Sequence, residues 1–276
     1  MKIVEANGAS IPAIGLGTFR LKGEDATEAV RHALEIGYRH IDTARMYDNE
    51  AAVGKGIAAS PVAREDIFLT TKIWPDDFAH ADLIHAAKDS VAALKTDYVD
   101  LLLLHWPSKS VPLRETIEAL NEVQASGFAK HIGISNFTTS LIEEAASLSA
   151  VPLAVDQVEY HPYLSQEKVL TALRKHGMAL TAYAPLAHAK VADDKTIQDI
   201  ADAHGKTPGQ VALRWLVQQD GVIAIPKSGN PVRQKENIEI FDFELSRDEM
   251  QRLFALQSPN GRIIDPAGVA PEWDAA

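Results

Sequence analysis

Short apolar runs recur along the chain, and each ends on a polar, chemically capable side chain. Ile41 leads into Asp42, Phe68-Leu69-Thr70-Thr71 into Lys72, and Leu101-Leu102-Leu103-Leu104 into His105. Ile132-Gly133-Ile134 leads into Ser135-Asn136, Val155-Asp156 into Gln157, and Thr181-Ala182 into Tyr183. Val222-Ile223-Ala224-Ile225 leads into Pro226-Lys227, and Gly15-Leu16-Gly17-Thr18 reads as a first, small-residue strand. Near-continuous apolar strands are buried on both faces, as in parallel sheets. Strand ends near residues 17, 42, 72, 105, 135, 157, 183 and 225 mark eight βα units. Such a chain is an α/β protein and predicts a (β/α)8 barrel, in which the C-terminal strand ends converge on one rim.

The segments between the runs support this reading. Residues 2–13 form a hairpin with Asn7-Gly8 as its turn. Residues 25–36 form a helix with Ala26, Ala29, Val30, Ala33 and Leu34 on one stripe, Asp25 as its cap with Glu28 three residues on, and Gly37 ending it. A strand over 38–41 follows, and Leu83, Ile84, Ala87, Val91 and Leu94 give the stripe of the helix after Lys72. One strand-helix pair is expected after each of His105, Ser135, Gln157, Tyr183 and Lys227; a last helix from Arg247 to Leu256 leads into a proline-containing tail.

A doubly wound sheet is the rival architecture, but no Gly-x-Gly-x-x-Gly turn occurs. Gly15-Leu16-Gly17 lacks the third glycine, and Gly205-Lys206-Thr207 lacks the leading glycine of a P-loop. With no linker or composition break, residues 1–276 read as one domain, close to the roughly 250 residues such a barrel needs.

Composition narrows the function. The absence of cysteine excludes disulfides and a thiolate metal site, and no metal is expected. A net charge of −11 argues against nucleic acid, whose phosphates require a basic face. No apolar run is long enough to span a bilayer, and Met1-Lys2-Ile3-Val4-Glu5 does not resemble a secretory leader. A cytoplasmic protein is expected, and a monomer, since no exposed apolar stripe demands a partner.

At a barrel rim Asp42, Lys72 and His105 are neighbours, and Tyr47, in the loop just after Asp42, can join them. A free phenol titrates at about 10, too high for an effective acid near neutrality. A nearby ammonium is expected to lower that value, with Asp42 holding Lys72 in place and charged. His105 beside the hydroxyl could orient a carbonyl oxygen. Taken singly these residues have plainer readings: a helix cap for Asp42, packing for Tyr47, a hydrogen-bonded core histidine for His105. Their meeting at one rim is what favours chemistry.

Longer stretches carry a resemblance. Gly37-Tyr38-Arg39-His40-Ile41-Asp42-Thr43-Ala44-Arg45-Met46-Tyr47-Asp48-Asn49-Glu50 resembles the first signature of the aldo-keto reductase family. Leu104-His105-Trp106-Pro107 and Gly133-Ile134-Ser135-Asn136-Phe137 match its central motifs, and Ile225-Pro226-Lys227-Ser228 opens the third. The matches run in order from Gly15 to Asn237. The resemblance implies a (β/α)8 fold and reduction of small carbonyl substrates by NADPH, with Tyr47 as general acid assisted by Lys72, Asp42 and His105.

The same resemblance implies that Ser135, Asn136 and Gln157 bond the nicotinamide carboxamide and that Tyr183 stacks on its ring. Gly17, Thr18, Asp42 and Leu186 are also implied as cofactor-binding residues. Lys227, Ser228, Asn230 and Arg233 resemble a 2′-phosphate clamp, with Glu236 and Asn237 toward the adenine, and two cations there favour NADPH over NADH. Phe19, Trp74 and Trp106, with Tyr47 and His105, resemble the walls of the substrate pocket. Short connections after Trp106 and between Leu186 and Ile197 make the chain similar to compact bacterial members, and Ala184 stands where a serine is frequent. Two other readings keep the barrel: Lys72 as a Schiff-base nucleophile, or a nucleotide-sensing barrel that rarely turns over.

Overall fold

A computed structural model describes residues 2–274. An antiparallel hairpin, β1 (Ile3–Ala6) and β2 (Ala9–Pro12), precedes eight parallel strands that pair in chain order. These are β3 (Leu16–Gly17), β4 (His40–Asp42), β5 (Phe68–Ile73), β6 (Val99–Leu104), β7 (Ala129–Ser135), β8 (Val155–Glu159), β9 (Ala179–Tyr183) and β10 (Val222–Ala224). Gly15 N–H donates to Ala224 O at 2.9 Å and Gly17 N–H to Pro226 O at 3.1 Å, which closes the first strand onto the last. Every residue of β4, β5, β6, β8 and β10 is buried, as their unbroken apolar runs require.

Helices clothe the ring: α1 (Gly23–Glu35), α2 (Glu50–Ala59), α3 (His80–Ala93), α4 (Leu113–Ala125), α5 (Thr139–Leu148), α6 (Glu167–Lys175), α7 (Lys195–His204), α8 (Pro208–Gln218), α9 (Pro231–Ile238) and α10 (Arg247–Phe254). Among the described residues no helix is long and apolar enough to cross a membrane. The hairpin stoppers the N-terminal end of the ring. Asn7 (φ 46°) and Gly8 (φ 86°) both adopt the left-handed conformation that a tight two-residue turn demands. The Asn7 amide then donates to Leu153 O at 2.7 Å and His176 O at 2.9 Å, just before β8 and β9. The opposite, C-terminal rim is left for chemistry.

Several local expectations change. Helix α1 begins at Gly23 after Lys22, which makes no side-chain cap; Asp25 lies in the first turn beside Glu24 and acts there through its charge on the helix dipole. Strand β4 starts only at His40, because the backbone before it closes α1: Gly37 N–H donates to Leu34 O at 3.3 Å and Tyr38 N–H to Ala33 O at 2.9 Å. Two helices follow β9 instead of one. Gly205 (φ 61°) ends α7, and Thr207, Pro208 and Gln210 start α8 with a capping box. Helix α10 stops at Phe254, two residues short of the expected end.

Close packing of the ring leaves Gly133 no room for a side chain. An added Cβ would lie 2.6 Å from Val155 O and 2.8 Å from Leu103 Cδ2. Gly133→Ala is expected to lower unfolding free energy by about 1–3 kcal/mol, read from urea denaturation midpoints; an unchanged midpoint would show that β7 and β8 can part without cost.

Candidate active site at the C-terminal rim

The rim is organised around a buried ion pair. Parallel register of β4 and β5 brings Asp42 beside Thr70, with Lys72 further along the neighbouring strand. Lys72 Nζ donates to Asp42 Oδ1 at 2.6 Å and to Thr43 O at 2.7 Å. The two side chains are 0% and 2% exposed, so neither has water as an alternative partner. Gln157 Nε2 donates to Asp42 Oδ2 at 2.8 Å from β8, on the far side of the ring. Burial pulls the Lys72 ammonium downward in pKa, while the charge and hydrogen bond of Asp42 oppose that shift.

Tyr47 enters from a short 3-10 turn, Arg45–Tyr47, ended by Asp48 in the left-handed region. Its ring centroid lies 5.1 Å from Lys72 Nζ, 5.7 Å from the His105 ring and 5.0 Å from Phe19. Burial, reinforced by the Asp42 carboxylate, pushes the phenol well above its ordinary range. The lowering expected from Lys72 is therefore not what this arrangement produces. Lys72 directs its protons to Asp42 and Thr43, and the Asp42 carboxylate itself acts to raise the phenol. His105, at the end of β6, packs edge-on against Trp74 at 5.2 Å. Burial, then the Lys72 charge, push its imidazole well below the usual range, so the ring is neutral near pH 7.

Neighbouring strand ends are laced to this centre. Thr18 Oγ1 donates to Asp42 O at 3.0 Å. Ser135 Oγ donates to Gln157 O at 2.7 Å, and Asn136 Nδ2 to His105 O at 2.9 Å. Tyr183 Oη donates to Asn136 Oδ1 at 2.7 Å, and Asn136 itself is left-handed at φ 65°. Gly17 packs where a Cβ would meet Ile225 O at 2.7 Å. Leu186 is half-buried facing Gly209 near the start of α8.

The cationic turn lies after β10. Lys227 and Arg233 are exposed, and among the described residues neither is in an ion pair. Asn230 caps α9, its Oδ1 accepting from Val232 N at 2.9 Å and Arg233 N at 3.2 Å, while Ser228 Oγ accepts from Asn230 N at 3.1 Å. These two side chains shape the turn, which leaves the charges to Lys227 and Arg233. Asn237 is buried and Glu236 half-buried along the same helix. Of the aromatic positions, Phe19 is exposed and Trp74 half-buried, whereas Trp106 is buried beneath Trp273 of the tail at 6.1 Å.

Two supporting residues were not singled out in the sequence. Asn49 accepts from Thr43 Oγ1 at 2.8 Å and donates to Thr18 O at 2.9 Å and Leu21 O at 3.0 Å, tying the loops on either side of Tyr47. Glu50 Oε1 accepts from Thr71 Oγ1 at 2.6 Å next to Lys72, and burial pushes its carboxyl upward. Both lie inside the first signature; the signal was their polarity just ahead of the apolar Ala51-Ala52-Val53 run.

A ring of eight βα units with its polar cluster at the C-terminal rim defines a barrel enzyme. The aldo/keto reductase family model matches residues 13–257, and the chain belongs to that family of oxidoreductases. It is 44% identical over 268 residues to the methylglyoxal reductase DkgB of Escherichia coli O157:H7, covering 96% of this chain and 100% of that one. It is 41% identical to the glyoxal reductase of Bacillus subtilis (strain 168), over 91% and 90% of the two chains. A crystal structure provisionally assigned as a 2,5-diketo-D-gluconic acid reductase B superposes with a TM-score of 0.98 at 53% identity, over 100% of this chain and 98% of that chain.

Removing one member of the central pair strands the other without water. Asp42→Ala is expected to cost about 3–5 kcal/mol of stability, measured by urea denaturation; a loss below about 1 kcal/mol would mean that the pair behaves like an exposed one.

Proposed function

We propose that the protein reduces small aldehydes and ketones to alcohols with NADPH, small dicarbonyls such as methylglyoxal and glyoxal among them. The observation that carries this reading is the convergence of the Tyr47 phenol, the neutral His105 ring and the Lys72–Asp42 pair at the rim. The donor set suits the cofactor. Two exposed cations in a chain of net charge −11 fit a 2′-phosphate, with Lys227 as a point charge and Arg233 as a planar fork. Ser135, Asn136 and Gln157 would hold the carboxamide. Since Gln157 Nε2 is committed to Asp42, its Oε1 is the atom left to accept from that group. Tyr183, tethered through Asn136, would lie under the ring.

When bound, NADPH supplies the hydride for the carbonyl carbon. Tyr47 then gives its hydroxyl proton to the carbonyl oxygen as negative charge develops there. Neutral His105 donates an N–H to the same oxygen and fixes the carbonyl orientation. Lys72 stabilises the phenolate left behind, and Asp42 keeps the ammonium positioned beneath it. An ammonium held by a carboxylate is a poor Schiff-base nucleophile, which disfavours the aldolase alternative.

Tyr47→Phe is expected to lower kcat by about 10²–10⁴-fold with NADPH affinity nearly intact, measured by NADPH oxidation on methylglyoxal and by cofactor titration. Turnover like that of the wild type would defeat the acid assignment. Lys227→Met is expected to raise the dissociation constant for NADPH about tenfold or more, equivalent to about 1.4 kcal/mol, and to leave NADH nearly unaffected. Equal losses for the two cofactors would remove Lys227 from the phosphate site.

A further inference from the structure

After α10 the chain crosses the rim as a tail, and its attachment is unusual. Beyond Leu253 no hydrophobic side chain of the described residues is buried, and Ile263 is 40% exposed. A cavity of about 280 Å³, lined in part by Phe137, Val158, Gln166, Arg262 and Trp273, lies beneath it. The tail is therefore not packed onto the barrel as core. It is held at separate polar points: Ser258 N–H donates to Tyr163 O at 3.1 Å, and Asp274 accepts from Thr139 N at 2.9 Å and Thr139 Oγ1 at 2.7 Å.

The central fastening is one carboxylate. Glu159, the last residue of β8, is fully buried and lies in register with Tyr183 of β9. Its Oε1 accepts from Ile263 N at 2.8 Å and is 2.9 Å from His161 Nε2, while its Oε2 accepts from Ile264 N at 2.8 Å. Arg262 Nη1 lies 4.0 Å from Oε2. Just upstream, Gly261 lies so close to Tyr163 that a Cβ would sit 1.8 Å from its carbonyl oxygen. A carboxylate can serve two successive backbone amides at once because it has two acceptor oxygens; an amide side chain would oppose one of them with its own N–H.

From Glu159 the contacts run on to the candidate substrate wall. The Arg262 guanidinium lies 3.5 Å over the Trp273 ring, and Trp273 Nε1 donates to Asp265 Oδ1 at 2.9 Å. Trp273 packs edge-on against Trp106, the residue that follows His105. We propose that Glu159 is a positioning residue that straps the tail across the rim and thereby sets the Trp106–Trp273 wall against which the carbonyl substrate packs. This rests on the reductase reading given above. Glu159 itself touches neither the reacting oxygen nor the hydride path; its effect passes through the tail.

Glu159→Gln keeps the shape and removes one acceptor. In hydrogen–deuterium exchange of the full-length protein, the amides of Ile263 and Ile264 are expected to exchange about tenfold faster or more, while β5 and β6 stay protected. In steady-state assays on methylglyoxal, KM is expected to rise about tenfold, with kcat within about threefold and the NADPH dissociation constant unchanged. Trp273→Ala, a change outside the barrel, is expected to raise KM similarly while the two amides stay protected. Unchanged exchange in Glu159→Gln would overturn the fastening role. Faster exchange at an unchanged KM would overturn the link to the wall, as would an unchanged KM in Trp273→Ala. Parallel loss of protection in β5 and β6 would show damage to the barrel and also count against a tail-specific role. If the unaltered protein reduced no carbonyl in the panel, the reductase reading would fail, while the exchange measurement would still decide whether Glu159 holds the tail.

Discussion

A salt bridge without access to water governs the rim. Lys72 and Asp42 come from adjacent strands, and Gln157 reaches Asp42 from the opposite side of the ring. Inside a protein such a pair is costly to form and more costly to break, so its neighbours must satisfy every remaining donor and acceptor. Thr43 O takes a second proton of the ammonium, and Gln157 takes the second carboxylate oxygen. The strand ends are thereby set at fixed separations, and the phenol and imidazole beside them inherit a defined place.

The loops above the strands repeat the logic with single polar side chains. Asn49 spans three backbone or side-chain partners, Asn136 links His105, Ser135 and Tyr183, and Asn230 caps α9. Short amides are suited to this work because one group both donates and accepts. The electrostatics are correspondingly local. An anionic chain presents exposed Lys227 and Arg233 around the turn between β10 and α9, while buried His105 and half-buried Tyr47 are held in their neutral forms by desolvation. Under the proposed mechanism that separation makes sense: the charged turn attracts a phosphate, and the reacting centre keeps its protons until bonds change.

Much of this was legible along the chain because barrel strands are short, doubly buried and end at one rim. The apolar runs before Asp42, Lys72, His105, Ser135, Gln157, Tyr183 and Lys227 correspond to strands β4 to β10. The Asn7-Gly8 turn likewise follows from backbone chemistry that few other pairs allow. Less legible were features that depend on a distant partner or on competing local signals. Tyr38 lies before β4 because its N–H is taken by Ala33 O of α1, and Gly205 and Thr207, which read along the chain only as an incomplete P-loop, end α7 and cap α8.

Local order alone thus determined the eight units, their direction and the identity of the polar residues that finish them, since burial periodicity and turn chemistry act over a few residues. Tertiary structure alone decided how those residues affect one another. Whether Lys72 lowers or fails to lower the Tyr47 phenol depends on where Asp42 directs the ammonium. That the tail crosses the rim, bonded to Glu159 more than a hundred positions earlier and to Tyr163 and Thr139, is likewise decided only in the folded chain. Both outcomes are set by distance and desolvation in three dimensions, quantities that have no counterpart in the linear order of the chain.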